Sequence, residues 1–181
     1  MKIIEWNEFA ERGLQGSGAF TIGVFDGVHR GHQALIKAIV EYGKGTTPIV
    51  ITFRVNHKND VKNQLLGFEQ KIEIFENLGV KLCVAADLNN SFKHIGGEVF
   101  FNILREKGKM RFLAVGKNFR CGYKLDTDAE QIKRINDSAG IETFIMEPVM
   151  EGSLPVSSSR IRKAVSEGRL EEAAKLLGRP Y

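Results

Sequence analysis

The 181-residue sequence has few cysteines and no long run of apolar residues. Its two cysteines are far apart: Cys83 lies in an apolar run, where a buried thiol is expected, and Cys121 lies in a predicted loop. They predict neither a disulfide framework nor a metal knuckle, which fits a reducing compartment. No run of about 18 apolar residues could span a bilayer, and the first residues lack a signal peptide's apolar core. We therefore expect a cytoplasmic protein with no membrane partner.

Long runs of like charge are also absent. The formal net charge is +4, but Lys and Arg are dispersed, with no run of five or more. This pattern does not support a nucleic-acid groove, and affinity for anionic nucleotides explains a modest positive balance equally well. Hydrophobic content of 43% and charged content of 27% are near globular averages. We expect residues 1–181 to form one domain with an ordinary core, and no nucleic-acid partner.

One glycine-rich segment between two apolar stretches carries the strongest functional signal. A β-prone run ends near Phe25, and apolar residues recur at helical spacing from Leu35. The residues between them include Gly23, Gly27, Gly31, His29 and His32. Histidines three positions apart share one face of a helix, so both imidazoles can enter one pocket at its positive end. Free N–H groups at a helix N-terminus bind anions, and glycine lets a phosphate approach the backbone. The segment predicts a strand, a turn and a helix that form a phosphate cradle.

Predicted strands and helices alternate along the rest of the chain. Strands are expected at 2–5, 48–53, 80–86, 111–115 and 141–146, with amphipathic helices between most of them. This alternation gives βαβ units, hence a mainly parallel sheet with helices on both faces. Ligands bind such sheets beyond the carboxyl ends of the strands. The site is therefore expected at the loops that follow Val24, Phe53, Val115 and Met146.

Two further segments carry groups that suit nucleotides. Residues 116–122 offer Asn118, Phe119 and Arg120 at a strand end, which suit an aromatic heterocycle or a phosphate. Taken alone, this segment is more typical of an ordinary surface loop with Phe119 turned inward. Residues 157–159 are three serines before a predicted helix that also carries Arg162. Hydroxyls, free N–H groups and a guanidinium fork suit phosphate oxygens, although serines at a helix start are also common structural caps.

The string Phe25-Asp26-Gly27-Val28-His29-Arg30-Gly31-His32 resembles the signature of the HxGH nucleotidyltransferases. More narrowly, it resembles bacterial FAD synthetase, the FMN adenylyltransferase module of bifunctional riboflavin kinase/FMN adenylyltransferase. Residues 116–122 are similar to the G-x-[DN]-F-R-F-G loop of that family, with Cys121 in place of the second Phe. Residues 157–162 are similar to its S-S-T-x-I-R motif, with Ser159 in place of Thr. The resemblance runs from about residue 20 to the last residue.

The resemblance implies a Rossmann-like three-layer α/β sandwich of the HxGH nucleotidyltransferase type. It also implies in-line transfer of AMP from ATP to FMN, giving FAD and pyrophosphate, with Mg²⁺ entering with ATP and no protein metal site. His29, His32 and Arg162 would be catalytic, and Asp26 would orient the turn at Gly27. The implied ATP site is Gly23, Phe25, Asp26, Gly27, Gly31, Ser158, Ser159 and Arg162, with adenine near Gly23 and the strand after Ile141. The implied FMN site is Phe53, Asn118, Phe119, Arg120 and Asp128.

Two departures from the family pattern leave alternatives open. Where the family reads T-F-x-P-H-P, residues 52–57 read Thr-Phe-Arg-Val-Asn-His. The loops at 54–66 and 116–128 would therefore decide between FMN and another phosphorylated acceptor. The sequence stops where the riboflavin kinase domain of the family begins, which leaves an excised domain or a one-activity homologue, and no riboflavin phosphorylation is expected. A third alternative is a flavin- or nucleotide-binding protein without turnover, which the intact His29, His32 and Arg162 disfavour.

Overall fold

A sheet of six parallel strands organises the fold. The computed structural model describes residues 1–54, 64–87 and 90–181. The sheet strands are β1 (Lys2–Glu5), β2 (Gly18–Ile22), β3 (Thr47–Phe53), β4 (Leu82–Ala86), β5 (Met110–Gly116) and β8 (Glu142–Met146). Two small antiparallel pairs are formed by β6 (Arg120–Cys121) with β7 (Thr127–Asp128) and by β9 (Met150–Glu151) with β10 (Leu154–Pro155).

Eight α-helices surround or follow the sheet within the described ranges. They are α1 (Trp6–Arg12), α2 (Arg30–Tyr42), α3 (Phe68–Asn77), α4 (Asn90–Lys93), α5 (Gly97–Glu106), α6 (Ala129–Ser138), α7 (Ser158–Ser166) and α8 (Leu170–Leu177). Short 3₁₀ turns occupy Asp26–Val28 and Tyr123–Leu125. Across the same residues, no helix has the length and apolar character that a membrane crossing needs.

The strand order reverses at β2. The order across the sheet is β1-β4-β3-β2-β5-β8, and every neighbouring pair is parallel. From β2 the chain proceeds through β3 to β4 on one side and later through β5 to β8 on the other. Thr21 is in register with Val50 on one neighbour and with Ala114 on the other. The carboxyl ends of β2 and β5 therefore flank the switch point, where ligands bind in open parallel sheets.

Apolar layers on both faces of the sheet make the structure a three-layer sandwich. All five residues of β2 are buried. Its residues Phe20 and Ile22 face a core that also contains Phe9 of α1 and Leu104 of α5. Ala19 faces a second core, which is filled mainly by α2 and α3. This arrangement confirms the predicted Rossmann-like α/β class. The class was predictable because strands that are buried on both faces appear in the sequence as continuous apolar runs.

Most predicted boundaries lie within two residues of the observed ones. The third predicted strand begins at Leu82 rather than at residue 80. Asp128 is the N-cap of α6, and its side chain accepts a hydrogen bond from the Gln131 N–H at 2.9 Å. Cys83 is buried, as expected from its apolar run. The pairs β6–β7 and β9–β10 were not predicted, because strands of two residues are too short to show a period.

Candidate active site

A strained turn connects β2 to α2. The φ angles of Phe25, Gly27 and Val28 are 53°, 79° and 39°, all in the left-handed region. Positive φ is uncommon for a bulky or β-branched residue and is found where surrounding contacts fix the backbone. Gly27 has a φ that residues with a side chain rarely adopt, and a Cβ atom there would lie 2.8 Å from Leu65 Cδ1, so a substitution would be strained. The turn redirects the chain so that the N-terminus of α2 lies at the switch point.

Asp26 is buried at the centre of this turn. Its carboxylate accepts hydrogen bonds from the Leu65 N–H at 2.9 Å and from Arg162 Nη1 at 2.6 Å. Its backbone carbonyl accepts a hydrogen bond from the Ser158 hydroxyl at 2.8 Å. Arg162 also donates to the Ser159 hydroxyl at 3.2 Å. The start of α7 is thereby attached to the turn, and Asp26 restrains the turn through contacts with two distant segments.

The two histidines form a stacked pair at the start of α2. His29 is the N-cap residue, and its Nδ1 accepts a hydrogen bond from the His32 N–H at 3.4 Å. The ring centroids of His29 and His32 are 3.6 Å apart with an interplanar angle of 17°. Because Nδ1 of His29 is an acceptor, its proton is assigned to Nε2, which leaves an N–H donor for a ligand. Nδ1 of His32 is buried and has no hydrogen-bond partner among the residues that the structure describes.

Burial keeps both imidazoles neutral. It lowers the pKa of His29 to about 4, a backbone hydrogen bond opposes this, and the positive charge of Arg179 lowers the pKa further. Burial also places the pKa of His32 well below its usual value, with additional lowering from the charges of His29 and Lys71. Two stacked imidazoles could not both be protonated without strong repulsion. At neutral pH the pair therefore acts as uncharged hydrogen-bonding groups, and an arriving polyanion would favour its protonation.

A cavity of about 310 Å³ opens beside the histidines. We call it the histidine cavity, and the turn and α2 contribute Gly23, Phe25, His29, Gly31 and His32 to its wall. The opposite wall comes from the ends of β5 and β8 and from the start of α7, namely Gly116, Lys117, Met146, Glu147, Pro148, Val149 and Val156. Three residues of the predicted ATP site, Gly23, Phe25 and Gly31, thus line one space with the two predicted catalytic histidines. Met146, the last residue of the strand expected to contact adenine, lines the same space.

A second cavity of about 420 Å³ lies on the other side of β2. We call it the aromatic cavity, because Phe53, Phe92, Phe100 and Phe119 line it together with aliphatic side chains. Four residues predicted for FMN, namely Phe53, Asn118, Phe119 and Arg120, are in its wall. Sequence reasoning missed Phe92, Phe100 and Ile95, which an apolar pattern alone cannot distinguish from core. The two cavities share Ile22, Gly23, Asn118 and Phe119, so they adjoin over the carboxyl end of β2.

Several predicted site residues lie outside both cavity walls. Ser158, Ser159 and Arg162 are in neither wall, and they contact Asp26 of the turn or one another. Asp128 lines neither cavity in the described part of the chain, since its carboxylate caps α6 and lies 3.8 Å from Arg120. The predicted acceptor loop at 54–66 falls mostly on residues 55–63, which are outside the described residues.

Lys71 is a further residue of the site that the sequence analysis missed. Its side chain is only 4% exposed, and Nζ donates to the carbonyls of Phe53 at 2.9 Å and Val24 at 3.3 Å. Burial lowers the pKa of this ammonium, while the charge of Asp26 opposes the shift. Lys71 thereby joins the carboxyl ends of β2 and β3. The available signal was a lysine on the buried face of α3, three residues after Phe68 and four before Phe75.

No metal cluster accompanies these cavities in the part of the chain that the structure describes. Within residues 1–54, 64–87 and 90–181, no group of three or more His, Cys, Asp or Glu side chains is placed to hold a metal ion. The carboxylate of Asp26 is already engaged by Arg162 and Leu65.

A strand-order reversal, a helix N-terminus behind a glycine turn and two adjoining cavities define an α/β fold of the nucleotidyltransferase type. The profile of the FAD synthetase family matches residues 12–160, and the chain belongs to that family. Among curated relatives, the bifunctional riboflavin kinase/FMN adenylyltransferase of Buchnera aphidicola subsp. Schizaphis graminum is 30% identical over 178 residues. That alignment covers 93% of this chain and 57% of the relative, so the chain spans little more than half of that protein's length.

Solved structures support the same fold. A structure titled as a macrolide-efflux protein from Streptococcus pneumoniae is 25% identical, with a TM-score of 0.87 over 99% of this chain and 63% of that chain. A pantoate-beta-alanine ligase from Francisella tularensis, complexed with beta-gamma ATP and beta-alanine, has a TM-score of 0.56 at 16% identity, over 98% of this chain and 85% of that one. The second similarity concerns the fold alone. The family membership and fold type predicted from the sequence are confirmed.

Proposed function

We propose that this chain is an FMN adenylyltransferase that makes FAD and pyrophosphate from ATP and FMN. The observation that carries the proposal is the pair of adjoining cavities, one aromatic and one lined by histidines at a helix N-terminus. The first suits a flavin ring, and the second suits a nucleotide and its phosphates. Their shared wall would bring the phosphate of one ligand close to the phosphates of the other. Membership of the FAD synthetase family and the activity for which the Buchnera relative is named support the same substrates.

The reaction needs positioning more than activation. A phosphate oxygen of FMN would attack the α-phosphorus of ATP in line, forming the new P–O bond as the bond to the β-phosphate oxygen breaks. Pyrophosphate leaves with that electron pair. Because a phosphate monoester is already an anionic nucleophile, no Ser or Cys nucleophile and no strong base is required. Catalysis then depends on holding the two phosphates in line and stabilising the developing charge.

The histidines would supply that stabilisation from the start of α2, in the wall of the histidine cavity. Nε2–H of His29 and the free N–H groups at the start of α2 are fixed donors beside the histidine cavity. Neutral buried rings hold no counter-ion, so they offer their donors to the triphosphate without first breaking an ion pair. Phosphate charge would in turn raise the pKa of both imidazoles. His29 and His32 are therefore proposed to stabilise the transferring phosphate and the departing pyrophosphate.

Arg162 would hold the outer phosphates in a pre-set orientation. A guanidinium has five N–H donors, and contacts with Asp26 and Ser159 use two of them. The side chain is 27% exposed, so the remaining donors are accessible. Together with Ser158 and Ser159 it is proposed to bind the β- and γ-phosphates. Mg²⁺ is proposed to enter with ATP, bound by phosphate oxygens and water, where it would neutralise charge.

The cellular setting proposed is the cytoplasm. Both cysteines are free, and burial raises the pKa of the Cys83 and Cys121 thiols to about 12. Such thiols contain little of the reactive thiolate at neutral pH. Unreactive free thiols are compatible with a reducing compartment. The proposed partners are ATP and FMN, with no nucleic acid.

The test is a product assay with defined substrates. The purified chain is incubated with ATP, MgCl₂ and FMN, and FAD and pyrophosphate are quantified by chromatography and a coupled assay. FAD and pyrophosphate in equal amounts are expected, and riboflavin in place of FMN should give neither, because it lacks the phosphate nucleophile. Flavin binding without FAD would instead favour a binding protein. Pyrophosphate release with a different phosphorylated acceptor, but not with FMN, would place the chain with another transferase specificity.

A further inference from the structure

The left-handed turn before His29 needs restraint from outside the segment. Phe25 and Val28 are non-glycine residues with φ of 53° and 39°. Such backbone costs of order 1–3 kcal/mol for each residue and persists only when surrounding contacts fix it. Ser158 and Arg162 hold the Asp26 end of the turn. The end that precedes His29 must be fixed by other groups.

Arg179, close to the last residue of the chain, contacts that end directly. Its Nη2 donates to the Gly27 carbonyl at 2.6 Å, and its Nη1 donates to the Val28 carbonyl at 3.1 Å. One planar guanidinium thus binds two consecutive carbonyls immediately before His29. Gly178 directs it there: this residue ends α8 in the left-handed region, with φ of 72°. The residue range matched by the family profile ends at 160, so Arg179 lies beyond it.

The charge of Arg179 has no counter-ion among the described residues. No salt bridge joins it to a carboxylate in the described ranges, whereas Arg30, Arg160, Arg162 and Arg169 all have one. Its side chain is partly buried, and this burial lowers the pKa of its guanidinium. Removing an unpaired charge from water costs free energy. If the role of Arg179 were only structural, a neutral donor would make the same hydrogen bonds at a smaller desolvation cost. A positive charge beside a turn that is suited to anions is better explained by an interaction with phosphate groups.

We propose that Arg179 is a positioning residue for the proposed adenylyl transfer, fixing the turn so that His29 caps α2 and presents Nε2–H to the phosphates. This inference rests on the proposed function. Gln33 assists it, since its Nε2 donates to Val28 at 2.8 Å and to Leu177 at 2.7 Å. Of these two donors to Val28, Arg179 is the charged one. The chemistry it serves is that of a polyphosphate, because Gly27 and Val28, whose carbonyls it binds, are not in the wall of the aromatic cavity.

Kinetics of substituted chains test the proposal. Arg179→Ala should lower kcat for FAD formation by about 10-fold or more, because a small displacement of a donor is enough to cost this much. KM for FMN should stay within about twofold, because no contact of Arg179 involves the aromatic cavity. Added guanidinium should restore part of the lost rate. Arg12→Ala is the matched control, since Arg12 is 75% exposed and pairs only with Glu8 in the described structure.

A second readout does not depend on turnover. The histidine Cε1–H resonances are titrated by NMR, with His29 assigned through His29→Asn. The pKa of His29, about 4 in the unsubstituted chain, should rise toward 6.5 in Arg179→Ala, because a repulsive charge and part of the burial are lost. The charged or titratable groups acting on His29 are His32, stacked on it, and Arg179. Arg12→Ala should leave the titration unchanged.

The outcomes separate this inference from the proposed function. A folded Arg179→Ala chain with unchanged kcat and an unchanged His29 titration would overturn the positioning role. If Arg179→Ala fails to fold, Arg179→Lys decides instead: it keeps the charge but loses the two-carbonyl fork, so an intermediate kcat is expected and an unchanged one would refute the proposal. If the unsubstituted chain makes no FAD, the proposed function fails, and the NMR titration alone decides the role of Arg179.

Discussion

Acid should destabilise this protein through the buried histidine pair. In the folded chain the pKa of His29 is about 4, whereas an unfolded histidine has a pKa of about 6.5. Between these values the unfolded state binds more protons than the folded state. The free energy of unfolding therefore rises with pH across this window. The contribution of neutral His29 is fully present above the unfolded pKa, and it is lost as the pH falls toward the folded one.

The size of the effect follows from the shift. A difference of about 2.5 pKa units corresponds to about 3 kcal/mol, and a single group with these values loses about 2 kcal/mol between roughly pH 7 and pH 5. Solvent screening does not reduce this strongly, because His29 is only 7% exposed. His32 acts in the same direction, since burial also lowers its pKa. The unsubstituted chain should therefore lose more than the His29 contribution alone.

The assay compares the chain with His29→Asn. Asparagine is a favourable N-cap that does not titrate, so it keeps an acceptor for α2 and removes the pH-dependent group. Urea unfolding is followed by the fluorescence of Trp6, the single tryptophan, which is buried against Phe100. From roughly pH 7 to pH 5, the free energy of unfolding should fall by about 2 kcal/mol more in the unsubstituted chain than in His29→Asn.

A second variant controls for destabilisation as such. Ile39 is fully buried, and Ile39→Val should cost about 1 kcal/mol at every pH, because no titratable group is involved. If His29→Asn gives a stability–pH curve parallel to that of the unsubstituted chain, His29 is not a buried neutral group. The description of the pair as uncharged donors would then be refuted.

Three further predictions concern the site. His32→Ala should lower kcat for FAD formation by ~10²–10³-fold while circular dichroism stays unchanged; unaltered turnover would exclude a role in charge stabilisation. Lys71→Met should lower the free energy of unfolding by about 1–3 kcal/mol in urea titrations, because two buried carbonyls lose their donor; equal stability would contradict this. Gly122→Ala should abolish FMN binding and spare ATP binding by calorimetry, since its φ is 82° and a Cβ would overlap Asp126. Gly16→Ala is the control, because Gly16 is exposed, has open space for a Cβ and is in neither cavity wall, and equal losses would disprove the argument.

The fold was predictable because its signals are local. Strands buried on both faces appear as continuous β-branched runs such as residues 48–53, and helices between them show the 3.6-residue period. The cradle was predictable for the same reason, since its glycines and histidines lie within ten positions of one another. Chemical type and spacing along one short segment were enough to place His29 and His32 at a helix start.

The contacts that hold the cradle were not predictable from local patterns. Lys71 reaches a carbonyl 47 positions away, and Arg179 reaches one 152 positions away. Val28 takes a positive φ that its β-branched side chain disfavours, so residue propensity does not predict this backbone conformation. Asp128 shows a further limit: its carboxylate caps α6 through a local contact, and its assignment to FMN remains a prediction that this capping geometry does not favour.

The partition between the two cavities has a thermodynamic consequence. The partition consists of the four residues that line both cavities, namely Ile22, Gly23, Asn118 and Phe119. A ligand that moved these residues from one side would therefore change the binding surface available to a ligand on the other side. The two bound molecules are then energetically linked, and linkage is reciprocal. Whatever factor one ligand imposes on the dissociation constant of its neighbour, the neighbour imposes in return. A mutation in the partition should accordingly alter this mutual factor, while a mutation deep in either cavity should alter one affinity alone.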